Sequence, residues 1–115
     1  MARQMYAGSV TGTGSAINVA LGWIPDYVKL VNHEDVAGLE PIIEWTKTMG
    51  DGHGVKYLSI ADDGTTTNVS HEAITTGGVS GYPGDATQPR GFTIGADVDL
   101  NVDGETIHVL AMRNG

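Results

Sequence analysis

The chain has 115 residues and a net charge of −8, with only six lysines and arginines, each standing alone. That length suits one domain, residues 1–115, with a core of its own, and the scattered cations exclude the clustered positive surface that nucleic acids require. Cysteine is absent, which removes disulfides and thiol chemistry. No apolar run approaches the roughly 20 residues of a membrane helix, and the N-terminus lacks the apolar core of a cleavable signal. A membrane partner is therefore not expected.

Glycine occurs 17 times and proline four times, so few stretches escape one or the other long enough for an ordinary helix. An interior glycine costs a helix about 1 kcal/mol and a proline about 3 kcal/mol. The expected fold is all-β.

Met1 to Ala7 reads as an N-terminal arm free to pair with a sheet or a neighbour, and Thr11-Gly12-Thr13-Gly14 as a turn. Ala16 to Trp23 alternates, with Ile17, Val19, Leu21 and Trp23 on one side and smaller residues on the other, the period of a strand. Pro25-Asp26 interrupts the pattern, and Tyr27 to Asn32 resumes it. His33 to Gly38 is a polar loop. Pro41 to Thr48 is a strand with apolar residues on both sides, at Ile42, Ile43 and Trp45. The turn Gly50 to Gly54 joins it to Val55–Ala61 in a hairpin, and Asp62-Asp63-Gly64 turns again.

Thr65 to Thr76 is β-prone but polar, which suits an edge strand. Gly77 to Arg90, rich in Gly, Pro and Ser, reads as a long loop. In Asp97 to Val109 the alternation of Val98, Leu100 and Val102 with acids, then Asp103-Gly104, predicts a hairpin. Its return strand, Glu105 to Met112, is apolar on both sides and should be central or lie at a subunit interface. About eight short antiparallel strands result, in a β-sandwich, jelly-roll-like fold or small barrel.

Candidate chemistry is sparse. Asp97, Asp99, Asn101 and Asp103 carry hard oxygen donors suited to calcium. An EF-hand frame fails, because Val102 and His108 stand where glycine and glutamate belong, and alternate strand residues lie about 7 Å apart. A solvated strand face is the stronger reading. His33-Glu34 and His71-Glu72 each lack the second histidine of a zinc-protease motif. Gly12-Thr13-Gly14 lacks the last glycine of a dinucleotide fingerprint, and Gly78-Val79-Ser80-Gly81 lacks the strand-to-helix setting of a nucleophile elbow. The expectation is no enzyme, no cofactor and no metal.

Two segments carry a resemblance. Ala20-Leu-Gly-Trp-Ile-Pro-Asp-Tyr-Val-Lys-Leu-Val-Asn32 resembles a stretch near the start of small virion proteins of tailed bacteriophages. Gly91-Phe-Thr-Ile-Gly95, with Asn101, Asp103-Gly104 and Ile107, resembles their closing stretch. The resemblance implies a capsid decoration (cement) protein: a β-rich homotrimer on the capsid exterior, bound to the major capsid protein and made in the host bacterial cytoplasm. Its interface candidates would be Met1, Arg3 and Tyr6 in the arm and Tyr82, Pro83 and Arg90 in the loop. The alternatives are a tail-associated receptor- or carbohydrate-binding module, for which Tyr82 is the one loop aromatic, and a calcium-binding adhesion domain.

Overall fold

The computed structural model describes residues 4–34, 41–60 and 68–114. It is all-β: a single antiparallel sheet of eight strands curled into a half-barrel. The strands are β1 (Gln4–Thr11), β2 (Ile17–Ala20), β3 (Tyr27–Val31), β4 (Ile42–Thr46), β5 (His53–Ile60), β6 (Asn68–Tyr82), β7 (Gly91–Ile94) and β8 (Thr106–Arg113). Their order across the sheet is β1-β8-β3-β4-β5-β6-β7-β2.

That order alone forces the curl. β1 and β2 are the two edges, about 34 Å apart if the sheet were flat at about 4.8 Å per strand. The few residues from Gly12 to Ala16 that join them reach only about 20 Å when fully extended. Curling makes the inner face dry. Val19, Val28, Leu30, Ile43, Trp45, Val79, Phe92, Ile94, Ile107, Val109 and Ala111 form one buried cluster with Trp23 and Leu100. Trp23 and Leu100 come from the two segments that cross the open side of the curl: one before β3, the other before β8.

The second crossing, residues 95–105, departs from expectation. Asp97 to Val102 is not a strand. The Asp97 carboxylate accepts the backbone N–H groups of Asp99 and Leu100, and its carbonyl accepts that of Asn101, so the chain coils back on itself. Leu100 tucks inward while Val98 stays 83% exposed, which imitates the alternation of a strand. The Asp103-Gly104 turn is present, with Gly104 at φ +86° and Glu105 N–H bonded to the Val102 carbonyl. It leads into β8, which is central between β1 and β3.

Two further expectations change. The described part of Thr65–Thr76 lies in β6, an interior strand between β5 and β7 rather than an edge. Gly77 to Tyr82 also belongs to β6, so the loop shrinks to Pro83–Arg90. The glycines act as a bulge here: the β5–β6 register jumps from Gly54 opposite Ile74 to His53 opposite Val79. A Cβ on Gly78 would strike the His53 carbonyl, so only glycine fits this bend. Met1 to Arg3, Asp35 to Gly38 of the polar loop and the Asp62-Asp63-Gly64 turn lie outside the described residues.

Candidate functional site

The outer face of the sheet is the surface that the core leaves over. Cross-strand register aligns its side chains in rows. One runs Ser9, His108, Val31, Ile42, Tyr57, His71; the next runs Ala7, Leu110, Lys29, Glu44, Val55, Ala73; a third runs Met5, Met112, Tyr27, Thr46. Val31, Ile42, Val55, Leu110, Met112, Tyr27 and Tyr57 are all half-buried, and Met5 is 68% exposed. The Met5–Met112–Tyr27 row walls a groove of about 370 Å³ whose other sides include Gln4, Asp26, Arg113 and Asn114.

Charge on this face is balanced. Within the described outer positions of β8, β3, β4 and β5, the charged side chains are Lys29 and Glu44, directly opposite one another. A chain of net charge −8 thus presents one broad apolar surface close to neutrality. Like-charge repulsion between two copies is small there.

Tyr27 donates its hydroxyl to Glu44 Oε2 at 2.5 Å. Burial first, then this bond and the carboxylate's charge, push the phenol up to about 12. A folded value above the ordinary 10 means that the neutral phenol favours folding. That contribution is intact below about pH 10 and is lost as pH rises from about 10 to about 12. Subtracting the ultraviolet titration of Tyr27→Phe from that of the parent should isolate a phenol half-ionised near pH 12, moved downward by Glu44→Gln. A difference curve centred at pH 10 would refute the coupling.

Histidines gather on the same face. His33 stacks on His108 with centroids 4.6 Å apart, and Tyr57 stacks on His71 at 5.8 Å. The Thr106 N–H donates to Glu34, and this bond holds the Glu34 carboxyl below its ordinary range. The described residues bring no three metal-binding side chains together.

The acids read as calcium donors have another partner. Lys56 points to the inner face, and its Nζ lies 3.0 Å from Asp97 Oδ2 and 2.6 Å from Asp99 Oδ2. Burial acts to lower the Lys56 pKa; the hydrogen bonds that Lys56 donates to Asp99 and Asp97, and their charges, outweigh it, and the net shift is upward. The trio fastens the crossing segment to β5. Asn101 fastens its other end: its Oδ1 accepts Thr13 and Gly14 N–H, and its Nδ2 donates to the Ser15 and Gly95 carbonyls.

The loop candidates share one place. Tyr82 ends β6, and Pro83 and Arg90 stand exposed at the two ends of the Pro83–Arg90 loop. With Gly22, Gly84, Asp85, Gln88 and Pro89, the latter two line a shallow depression of about 390 Å³. The loop is organised by Asp85, whose Oδ1 accepts Thr87 N–H, the Thr87 hydroxyl and Gln88 N–H, while Tyr82 donates its hydroxyl to Oδ2. The Thr87 backbone bond first, then the Tyr82 hydroxyl, hold the Asp85 carboxyl down at about 2. Tyr6 is not brought to this loop: it sits in β1, at the opposite end of the strand order, half-buried against the core. Met1 and Arg3 lie outside the described residues.

No protein-family model, curated protein or solved structure matches this chain.

Proposed function

We propose that this chain is a structural, non-enzymatic subunit of a tailed-phage virion: a homotrimeric decoration (cement) protein on the capsid exterior, requiring no cofactor. The observation that carries the proposal is the broad, near-neutral apolar outer face of a strongly acidic chain. A sister copy or the capsid lattice is the natural cover for such a surface. The two phage-like segments support the reading in a specific way, because their residues meet inside the fold. Ala20 pairs with Gly91 between β2 and β7, and Asn32 donates to the Leu100 carbonyl at 3.0 Å, beside Asn101. Trp23, Phe92, Ile94, Leu100 and Ile107 are buried. The motif residues therefore belong to the scaffold.

Cementing is mechanical in this proposal. Each copy binds the assembled lattice and not its dissociated parts, which favours the assembled state by mass action. Joined copies add avidity without new contacts. Mixing the purified protein with heads that lack their decoration layer should give saturable binding at symmetry-related positions and greater resistance of the heads to heat. Absence of binding to heads, with binding instead to host cells, would replace this proposal with a tail-tip role.

A further inference from the structure

Among the described residues, β1 is a sheet edge with nothing to guard it: it pairs with β8 alone, over all eight of its residues. Sheet edges are normally protected by a charged side chain, a proline, a bulge or short length. Gln4–Thr11 carries no proline and no charged residue, and its register runs without a break. The other edge, β2, is only four residues long, and its outward Asn18 is engaged by Thr93 and Gln88.

The direction of the free backbone groups follows from one bond. Gly12 N–H donates to the Glu105 carbonyl at 2.7 Å, and the Gly12 carbonyl accepts Gly104 N–H, so Gly12 faces β8. In an antiparallel ladder such residues alternate. Val10, Gly8 and Tyr6 therefore also face β8, and Met5, Ala7, Ser9 and Thr11 direct both N–H and C=O away from it. Each of those four is exposed.

We infer that β1 is a strand-pairing interface, and that its occupant is β1 of a second copy, antiparallel about a two-fold axis at Gly8. In this register Ala7 faces Ser9 of the other copy and Met5 faces Thr11, so every outward backbone group gains a partner. The inner side is satisfied too. Tyr6 and Val10, both half-buried at the margin of the core, become opposite one another across the axis. An aromatic facing a β-branched residue is a favourable cross-strand pair. Gly8 adds no side chain of its own at the axis, and the Tyr6 ring of the same strand lies over it. The uncharged edge lets two chains of net charge −8 approach here, as they could not at an acidic border. This pairing goes beyond the decoration proposal and does not depend on a capsid; in a trimer it would join one trimer to the next.

Because the chain has no cysteine, engineered ones report cleanly. Residues facing in a hydrogen-bonded pair stand about 5.5 Å apart at Cα, within disulfide range. Mixing Ala7→Cys chains with Ser9→Cys chains under mild oxidation should give a two-chain band, well above that of Ser9→Cys mixed with Thr87→Cys. Ser9→Pro should weaken association at least about tenfold while leaving the melting temperature near the parent's, since the N–H it removes points away from β8. Equal cross-linking in both mixtures, or Ser9→Pro chains that associate like the parent, would overturn the inference. Cross-linking by chains that fail to decorate heads would uphold it and refute the decoration proposal instead.

Discussion

Asn101→Ala should lower unfolding stability by about 3 kcal/mol or more, and the melting temperature by over about 10 °C. The side chain is 2% exposed, and all four of its hydrogen-bonding positions are used. Truncation leaves Thr13 and Gly14 without an acceptor and the Ser15 and Gly95 carbonyls without a donor. Those groups belong to two separate segments, the short β1–β2 connection and the start of the crossing over the core. The loss is thus more than the sum of exposed bonds: Leu100 is held inside by the same crossing. Asn18→Ala, on an exposed edge strand, is the matched control and should cost under about 0.5 kcal/mol. Urea titration of the three proteins decides it, and an Asn101→Ala unfolding free energy within about 1 kcal/mol of the parent's would show that the crossing segment holds by packing alone.

How far the sequence disclosed this fold depends on whether a feature was local. β2 and β3 are legible because their alternation spans several residues and produces one dry face, and β4 and β8 because their apolar runs are bounded by turn residues. The crossing segment is illegible by the same logic: Val98 outward and Leu100 inward reproduce a strand's period in a chain that is coiled. The local signal was Asp97 itself, an aspartate whose side chain can accept the backbone N–H two residues on, as in an Asx turn. Asp85, which accepts Thr87 N–H, carried the same signal, and it organises the Pro83–Arg90 loop. The glycines of β6 were ambiguous, because a pair that ends one strand can form a bulge within another. Lys56 was beyond reach. Its partners lie 41 and 43 residues away, and the ion pairs exist only because the crossing passes over β5. The outer face was half visible: apolar residues on both sides of β4 and β8 announced it, but the rows exist only once register is fixed.

Ile42→Asp should break association through the outer face while sparing the fold and the two-chain pairing of the β1 edge. Ile42 lies mid-face, opposite Val31 on one strand and Tyr57 on the other, and its side chain is half-buried in the monomer. In the free monomer an aspartate here can keep its carboxylate in water, so the cost to folding stays near about 1 kcal/mol. Under a sister copy the same carboxylate would be stripped of water among Val31, Val55 and Tyr57, with Lys29 already facing Glu44. An unpaired buried charge costs several kcal/mol, so association should fall at least about a hundredfold. Ile42→Thr keeps the β-branched shape without a charge and should fall in between. Sedimentation velocity at micromolar concentration, beside circular dichroism to verify the fold, measures both halves of the expectation. If Ile42→Asp sediments as the parent does, the outer face is not where copies meet. The β1 edge would then be the remaining candidate, which is why Ser9→Pro and Ile42→Asp should be compared in the same experiment: the first severs a ladder, the second a packed face.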